Sequence, residues 1–353
     1  MFEGLSTGPR ENTQKGTVSS MSSKSHFHIS PDKVRSVAVI GAGSVGASWA
    51  ALFLAHGLDV VAYDPGPGAE ARARQFIADA WPALVELGQA ATPQPPMERL
   101  SFAATISEAA READAVQENV LERLELKAKV LAEIDAAASP DKIILSSTGG
   151  ITPSVMQASC ANPERLVVLH PFNPSHLMPL VEVVGGKQTS PEVVEWAMAF
   201  ARRLGKKPIR LNAEAKGHMT NRLQFALVRE AVACLTEGMA SAEDIDAALR
   251  YGLAPRWLLM GSLLTLHMAG GEGGMQGILD HTGKALEEWW TPTEQVSLTP
   301  QVVSRLVEAA REVSGGQPVR DWVHWRDESL VDVLSLQKNA ERGAPPQDKA
   351  AAA

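Results

Sequence analysis

Two clusters in this 353-residue chain have the residue types and spacing to do chemistry. The first is Gly41-Ala42-Gly43-Ser44-Val45-Gly46, which directly follows the β-branched run Ser36–Ile40 and opens an apolar stretch with helical spacing. In that context Gly41 permits a tight turn, Gly43 lets the backbone approach a pyrophosphate, and Gly46 lets helix and strand pack closely. The amides at Ser44 and Val45 then donate to phosphate oxygens at the helix start. Asp64 ends the next strand, eighteen residues after Gly46, where a carboxylate takes the hydroxyls of an adenosine ribose. That predicts NAD as the cofactor. A 2′-phosphate would meet like charge at Asp64, although Arg72 and Arg74 leave NADP as a minor alternative. Pro65 and Pro67 stiffen the turn between them, so both arginines are expected to point away.

The second cluster is His170-Pro171-Phe172-Asn173-Pro174 with Glu182 twelve residues on. His170 closes one strand candidate and Glu182 sits in the next. A histidine oriented by a carboxylate is the usual general base for a hydroxyl proton, and the carboxyl edge of a doubly wound sheet is where substrate meets cofactor. Cys160 and Cys234 have neither paired metal-ligand spacing nor a disulfide-framework pattern. Two free thiols, no metal and a reducing cytoplasm are therefore expected.

The elements that must position these residues follow from periodicity. Strand candidates at Asp59–Asp64, Leu100–Ala103, Ala113–Glu118, Lys142–Ser147 and Arg165–His170 join Ser36–Ile40. Helical segments at Ala69–Leu87, Leu121–Ala137 and Pro153–Ser159 alternate with them. Strands separated by helices predict a parallel sheet covered on both faces, which Leu180–Val184 and Lys207–Leu211, flanking a helical Pro191–Leu204, would finish. After Gly217 the spacing is helical throughout. The fold class is thus α/β: a disordered extension over 1–32, a Rossmann-type doubly wound domain over 33–214, an all-helical domain over 215–338, and a frayed tail over 339–353. Met21 would serve as an alternative start. A net charge of −8 argues against nucleic acid, and no apolar run is long enough to span a membrane.

With Gly217-His218-Met219-Thr220-Asn221-Arg222 added, these motifs resemble the 3-hydroxyacyl-CoA dehydrogenase superfamily, whose pattern includes an HFFNP-like run and a G-F-x-x-N-R segment. The resemblance covers about Val34 to Leu336. It implies that His170 is the base, Glu182 its partner, and Asn221 a polar group holding substrate near His170. Glu118 and Asn119 fall where the superfamily has a Glu-containing segment beside the nicotinamide, so Glu118 is assigned to the cofactor. The superfamily carries an active-site Ser in a segment resembling S-T-S-S or S-T-S-G, where this chain reads Ser146-Ser147-Thr148-Gly149-Gly150. Gly149 aligns with that Ser, leaving Ser147 or Thr148 to supply a hydroxyl, or the position emptied for a differently shaped substrate.

YGLAPRW, HMAGGEGGM and a Trp-rich stretch resemble the branch that holds L-carnitine dehydrogenases and lambda-crystallin, the L-gulonate 3-dehydrogenase. This implies NAD-dependent oxidation of a small 3-hydroxy acid, with L-carnitine first and L-gulonate or a 3-hydroxyacyl-CoA thioester as alternatives. Lys127 and Lys129 would be the cations for CoA phosphates. Trp257, Trp289, Trp290, Trp322 and Trp325 either form aromatic faces for a trimethylammonium group or fill helix and subunit contacts. Long apolar helices with too little partner sequence predict a homodimer through the helical domain.

Overall fold

The apolar runs become strands of one sheet. The computed structural model describes residues 29–290 and 296–343; residues 1–28 of the predicted extension, with Met21, and 344–353 of the predicted tail lie outside the described residues. In chain order the first domain contains β1 (Ser36–Ile40), α1 (Ser44–Ala55), β2 (Asp59–Tyr63), α2 (Ala69–Glu86), β3 (Leu100–Phe102), α3 (Ile106–Glu112), β4 (Ala115–Glu118), α4 (Leu124–Ala137) and β5 (Ile143–Ser146). It continues with α5 (Pro153–Gln157), β6 (Leu166–Pro171), β7 (Leu180–Gly185), α6 (Pro191–Arg203) and β8 (Lys207–Arg210). The sheet order is β3-β2-β1-β4-β5-β6-β7-β8.

Side chains alternate across β1: Val37 and Val39 join Trp49, Phe53, Leu84 and Phe200 on one face, while Ala38 and Ile40 join Leu131 and Ile134 on the other. Both faces are covered by helices, which is why these strands read as continuous apolar runs. Helix α3 went unread in the sequence because it is only seven residues long. Its signal was the Thr105-x-x-Glu108 box, in which the Thr105 hydroxyl accepts from the Glu108 amide.

One expectation needs correcting. β7 runs antiparallel to β6, and β8 follows β7 in parallel. The link from Phe172 to Pro179 is eight residues with no helix, whereas a parallel crossover needs about a dozen or more. Lys206 secures this link: its buried ammonium donates to the Ser175 and Met178 carbonyls. His176 is secured to α1, with Ser48 Oγ accepting from the His176 amide and hydrogen-bonded to its Nδ1 at 2.8 Å.

The helical region comprises α7 (Thr220–Thr236), α8 (Ala242–Ala247), a π-helical turn at Ala248–Leu253, α9 (Ala254–Ala269), α10 (Gly274–Trp290), α11 (Pro300–Val313) and α12 (Val319–Arg342). Two predicted margins differ. Residues 339–342 form the last turn of α12, where Lys207 pairs with Glu341. At the other end, Trp196 Nε1 donates to the Ile29 carbonyl and Arg203 to those of Pro31 and Val34, so the chain is tied to α6 from residue 29.

Burial, with the nearby Lys206 and Arg326 charges adding to it, pulls the His176 imidazole down to about 3. The unfolded chain therefore binds a proton at this residue below about pH 6.5 that the native state refuses until about pH 3. Stability contributed here is fully present above about pH 6.5 and lost as pH falls, by up to about 1.4 kcal/mol per pH unit. The melting temperature should fall between about pH 6.5 and 4, and His176→Gln should flatten that slope in a calorimetric pH series.

Candidate active site

The glycine turn joins β1 to α1. Gly41 has φ 90°, and a Cβ there would meet the Asn119 carbonyl at 2.9 Å; a Cβ on Gly46 would stand 1.8 Å from the Gly41 oxygen. Gly43 has nothing within 4 Å of its Cβ position, so its open side faces the groove. Gly43 is also the N-cap of α1 and offers no side-chain cap, which leaves the first-turn amides, with exposed Ser44 and half-buried Val45, free for an anion. A groove of about 530 Å³ runs past Gly41, Gly43, Asp64, Asn119 and Val120. Its shape, its bare glycine and its open helix end fit a dinucleotide.

Asp64 lines this groove and also builds it. Its two oxygens accept the Ala42 and Gly66 amides, both at 2.8 Å. Arg74 does point away, to Glu70 and to the Met97 and Leu100 carbonyls. Arg72 does not: it folds back onto the Pro67 carbonyl, and a Cβ built on Gly66 would lie 2.9 Å from Asp64 Oδ1 and 3.4 Å from Arg72 Nη2. The prolines shape the turn so that it passes under the guanidinium.

Glu118 does not reach the groove. It is fully buried and ion-pairs with Lys127 at 2.9 Å, and it accepts from Ser146 and the Val120 amide. A carboxylate at a buried strand end must find a cation, and Lys127 supplies it from α4. Lys127 is thereby committed and unavailable to CoA phosphates, whereas Lys129 lines the dinucleotide groove. Glu122, which the sequence analysis passed over, is the carboxylate that faces a cleft. Burial pushes its carboxyl up, but Thr148, Lys127 and the Gly150 and Ile151 amides together hold it below the usual range.

His170 and Glu182 are direct cross-strand partners in the β6–β7 ladder, and Nδ1 lies 2.9 Å from Glu182 Oε2. The other Glu182 oxygen accepts from the Met219 and Thr220 amides and the Thr220 hydroxyl at the start of α7. Burial pushes the Glu182 carboxyl up; the bonds from His170 and Thr220 outweigh it and keep the group below its ordinary value. With Nδ1 held, Nε2 is left for chemistry. A Cβ on Gly149 would stand 2.8 Å from it and 3.3 Å from Asn221 Nδ2. Gly149, Asn221 and Glu122 line a cleft of about 610 Å³ with Lys216, Arg222 and Phe225.

Neither neighbouring hydroxyl turns to His170. Ser147 Oγ accepts from Trp49 Nε1 and Gln117 and donates to Asn119, and Thr148 Oγ1 donates to Glu122. None of the five C-terminal tryptophans lines this cleft; Trp322 and Trp325 pack edge to face in a groove formed by α7, α8, α11 and α12.

A glycine turn with an open helix end beside Asp64, and a histidine–carboxylate pair at the end of β6 in the same sheet, are the parts of a nicotinamide-dependent dehydrogenase. The chain belongs to the 3-hydroxyacyl-CoA dehydrogenase family: residues 36–214 match its NAD binding domain and residues 217–314 its C-terminal domain. It is 42% identical to the L-carnitine dehydrogenase of Bacillus cereus over 90% of this chain and 97% of that protein. It is 45% identical to the L-carnitine dehydrogenase of Nocardiopsis dassonvillei over 88% and 94%. Among solved structures, 5-formyl-3-hydroxy-2-methylpyridine 4-carboxylic acid 5-dehydrogenase, an NAD+ dependent dismutase, matches with TM-score 0.75 and 29% identity over 86% of this chain and 99% of that one. The protein is an NAD-dependent oxidoreductase.

Asp64→Ser should weaken NAD binding and narrow a preference over NADP of roughly 10²-fold. Equal affinity of the unmodified protein for both cofactors, measured by Trp fluorescence, would contradict this reading of Asp64. Glu182→Ala should remove a buried charge from both His170 and the α7 amides, lowering stability by about 3–5 kcal/mol in denaturant titration.

Proposed function

We propose that the protein oxidises a small 3-hydroxy acid to the 3-keto acid by hydride transfer from C3, with His170 as general base and L-carnitine as the first substrate to test. The observation that carries this reading is the His170 imidazole, pinned at Nδ1 by Glu182 with its Nε2 beside Gly149, which lines the cleft together with Asn221. NAD, when bound, accepts the hydride. His170 Nε2 takes the hydroxyl proton as the C–O bond becomes a carbonyl. Glu182 fixes the ring orientation and stabilises the imidazolium that forms. Asn221, whose Nδ2 bonds the Gly149 carbonyl at 3.3 Å, holds the substrate oxygen beside the base.

The cleft carries both signs of charge on a short span, with Lys216 and Arg222 for a carboxylate, and Glu122 and the Phe225 ring for a cation. That suits a zwitterionic hydroxy acid such as carnitine, whose trimethylammonium group donates no hydrogen bonds. The names of the relatives support the same choice. Ser147 and Thr148 have their hydroxyls engaged elsewhere, so they act on the loop rather than on substrate. A CoA thioester fits less well because Lys127 is taken by Glu118.

The same reading includes a homodimer in the cytoplasm. Leu223, Phe225, Leu263, Met268, Trp289 and Trp325 are all more than half exposed, while the small cluster of Leu235, Ala242 and Ala309 is the main buried core of the helical region. Patches of this kind mark subunit contacts. Among the described residues no helix is long and apolar enough to cross a membrane.

An NAD-reduction screen over L-carnitine, L-gulonate, 3-hydroxybutyrate and its CoA thioester should give the highest kcat/KM with L-carnitine, rising toward alkaline pH. His170→Gln should lower turnover roughly 10²–10⁴-fold with NAD affinity nearly unchanged, and retained turnover would refute the base assignment. Sedimentation at micromolar protein should report a dimer mass.

A further inference from the structure

Two positions that depart from the family pattern meet beside the base. Gly149 stands where the resemblance aligns a Ser, and His218 where it aligns a Phe. Gly149 has an ordinary negative-φ backbone, so its conformation would suit any residue and only space is lacking: a Cβ would press on His170 Nε2 at 2.8 Å. At so short a distance something must shift, and His170 is pinned from behind by Glu182.

The residue before Gly149 is held by His218. His218 is fully buried with its ring centroid 5.3 Å from that of His170, and its Nε2 donates to the Thr148 carbonyl at 2.9 Å. His218 adopts this place against two costs. Its φ is 50°, a left-handed conformation that non-glycine residues rarely adopt, and its buried Nδ1 finds no hydrogen-bond partner. The bond to Thr148 is what such a ring gains there and a phenyl ring could not.

We infer that His218 and Gly149 work as one positioning device: the His218 bond to the Thr148 carbonyl seats residue 149 against His170 Nε2, where only glycine fits. The substrate oxygen then meets His170 and Asn221 with no protein hydroxyl between them, and the volume a Ser side chain would fill is left to the substrate. The catalytic part of this inference rests on His170 being the base; the steric part does not.

A double-mutant cycle separates the two. Gly149→Ser should lower the melting temperature and cut kcat/KM for L-carnitine about tenfold or more, through kcat, with the KM for NAD unchanged. In a His218→Phe background, where the carbonyl is released, the same Ser should cost less than about threefold and shift the melting temperature less. His218→Gln, which keeps a donor, should give no such rescue. Additive effects of the two substitutions on either readout, or a Gly149→Ser single variant faster than the parent, would overturn the inference. The melting cycle needs no substrate, so it decides the steric coupling even where L-carnitine turns out not to be oxidised, an outcome that counts against the proposed function alone.

Discussion

The carboxylate of Glu182 is the interaction on which the rest depends. One oxygen fixes His170 Nδ1 across the β6–β7 ladder, and the other closes the amino-terminal end of α7 through Met219 and Thr220. A single buried charge therefore joins the sheet to the helical region at the point where both contribute to the cleft. Four donors converge on it, which is why it stays ionised in spite of its burial. Since α7 begins at this carboxylate, Asn221, one residue into the helix, is delivered to the Gly149 cleft beside His170 without any further device.

The edge of the sheet is shaped by opposing demands on charged groups. Asp64 stays at the rim because two backbone amides satisfy it there while leaving it facing the groove. Glu118 ends β4, on the other side of β1, but turns inward, since Lys127 offers a cation in the interior and Ser146 a further donor. The same Lys127 also reaches Glu122 at 3.4 Å, so one buried cation braces the carboxyl end of β4 and steadies the carboxylate on the following loop that lines the cleft. Carboxylates at the ends of two strands of the same sheet thus take structural and site roles according to which partner lies within reach.

The helical region contrasts with the sheet domain. Helices cover both faces of the sheet, whereas α7, α9, α10 and α12 leave large apolar side chains uncovered. The buried core is concentrated in the first domain, and the second keeps only the small cluster of Leu235, Ala242 and Ala309. The cleft lies where α7 leaves the sheet domain.

Local pattern was enough to read the strand–glycine–helix turn, Asp64, the strands carrying His170 and Glu182, and the change to helices after Gly217, because periodicity and turn chemistry act over a few residues. The same local reading misjudged whatever depends on a partner far along the chain. It took β7 as parallel, although the eight-residue link was visible, and the reversal is what brings Glu182 opposite His170. The resemblance assigns Glu118 to the cofactor and the stiff proline turn sends Arg72 away from Asp64, because neither a motif position nor a local turn says which distant group awaits a side chain. The contact between Gly149 and His170, and the bond from His218 that enforces it, join segments 21 to 70 residues apart and exist only once the sheet has assembled.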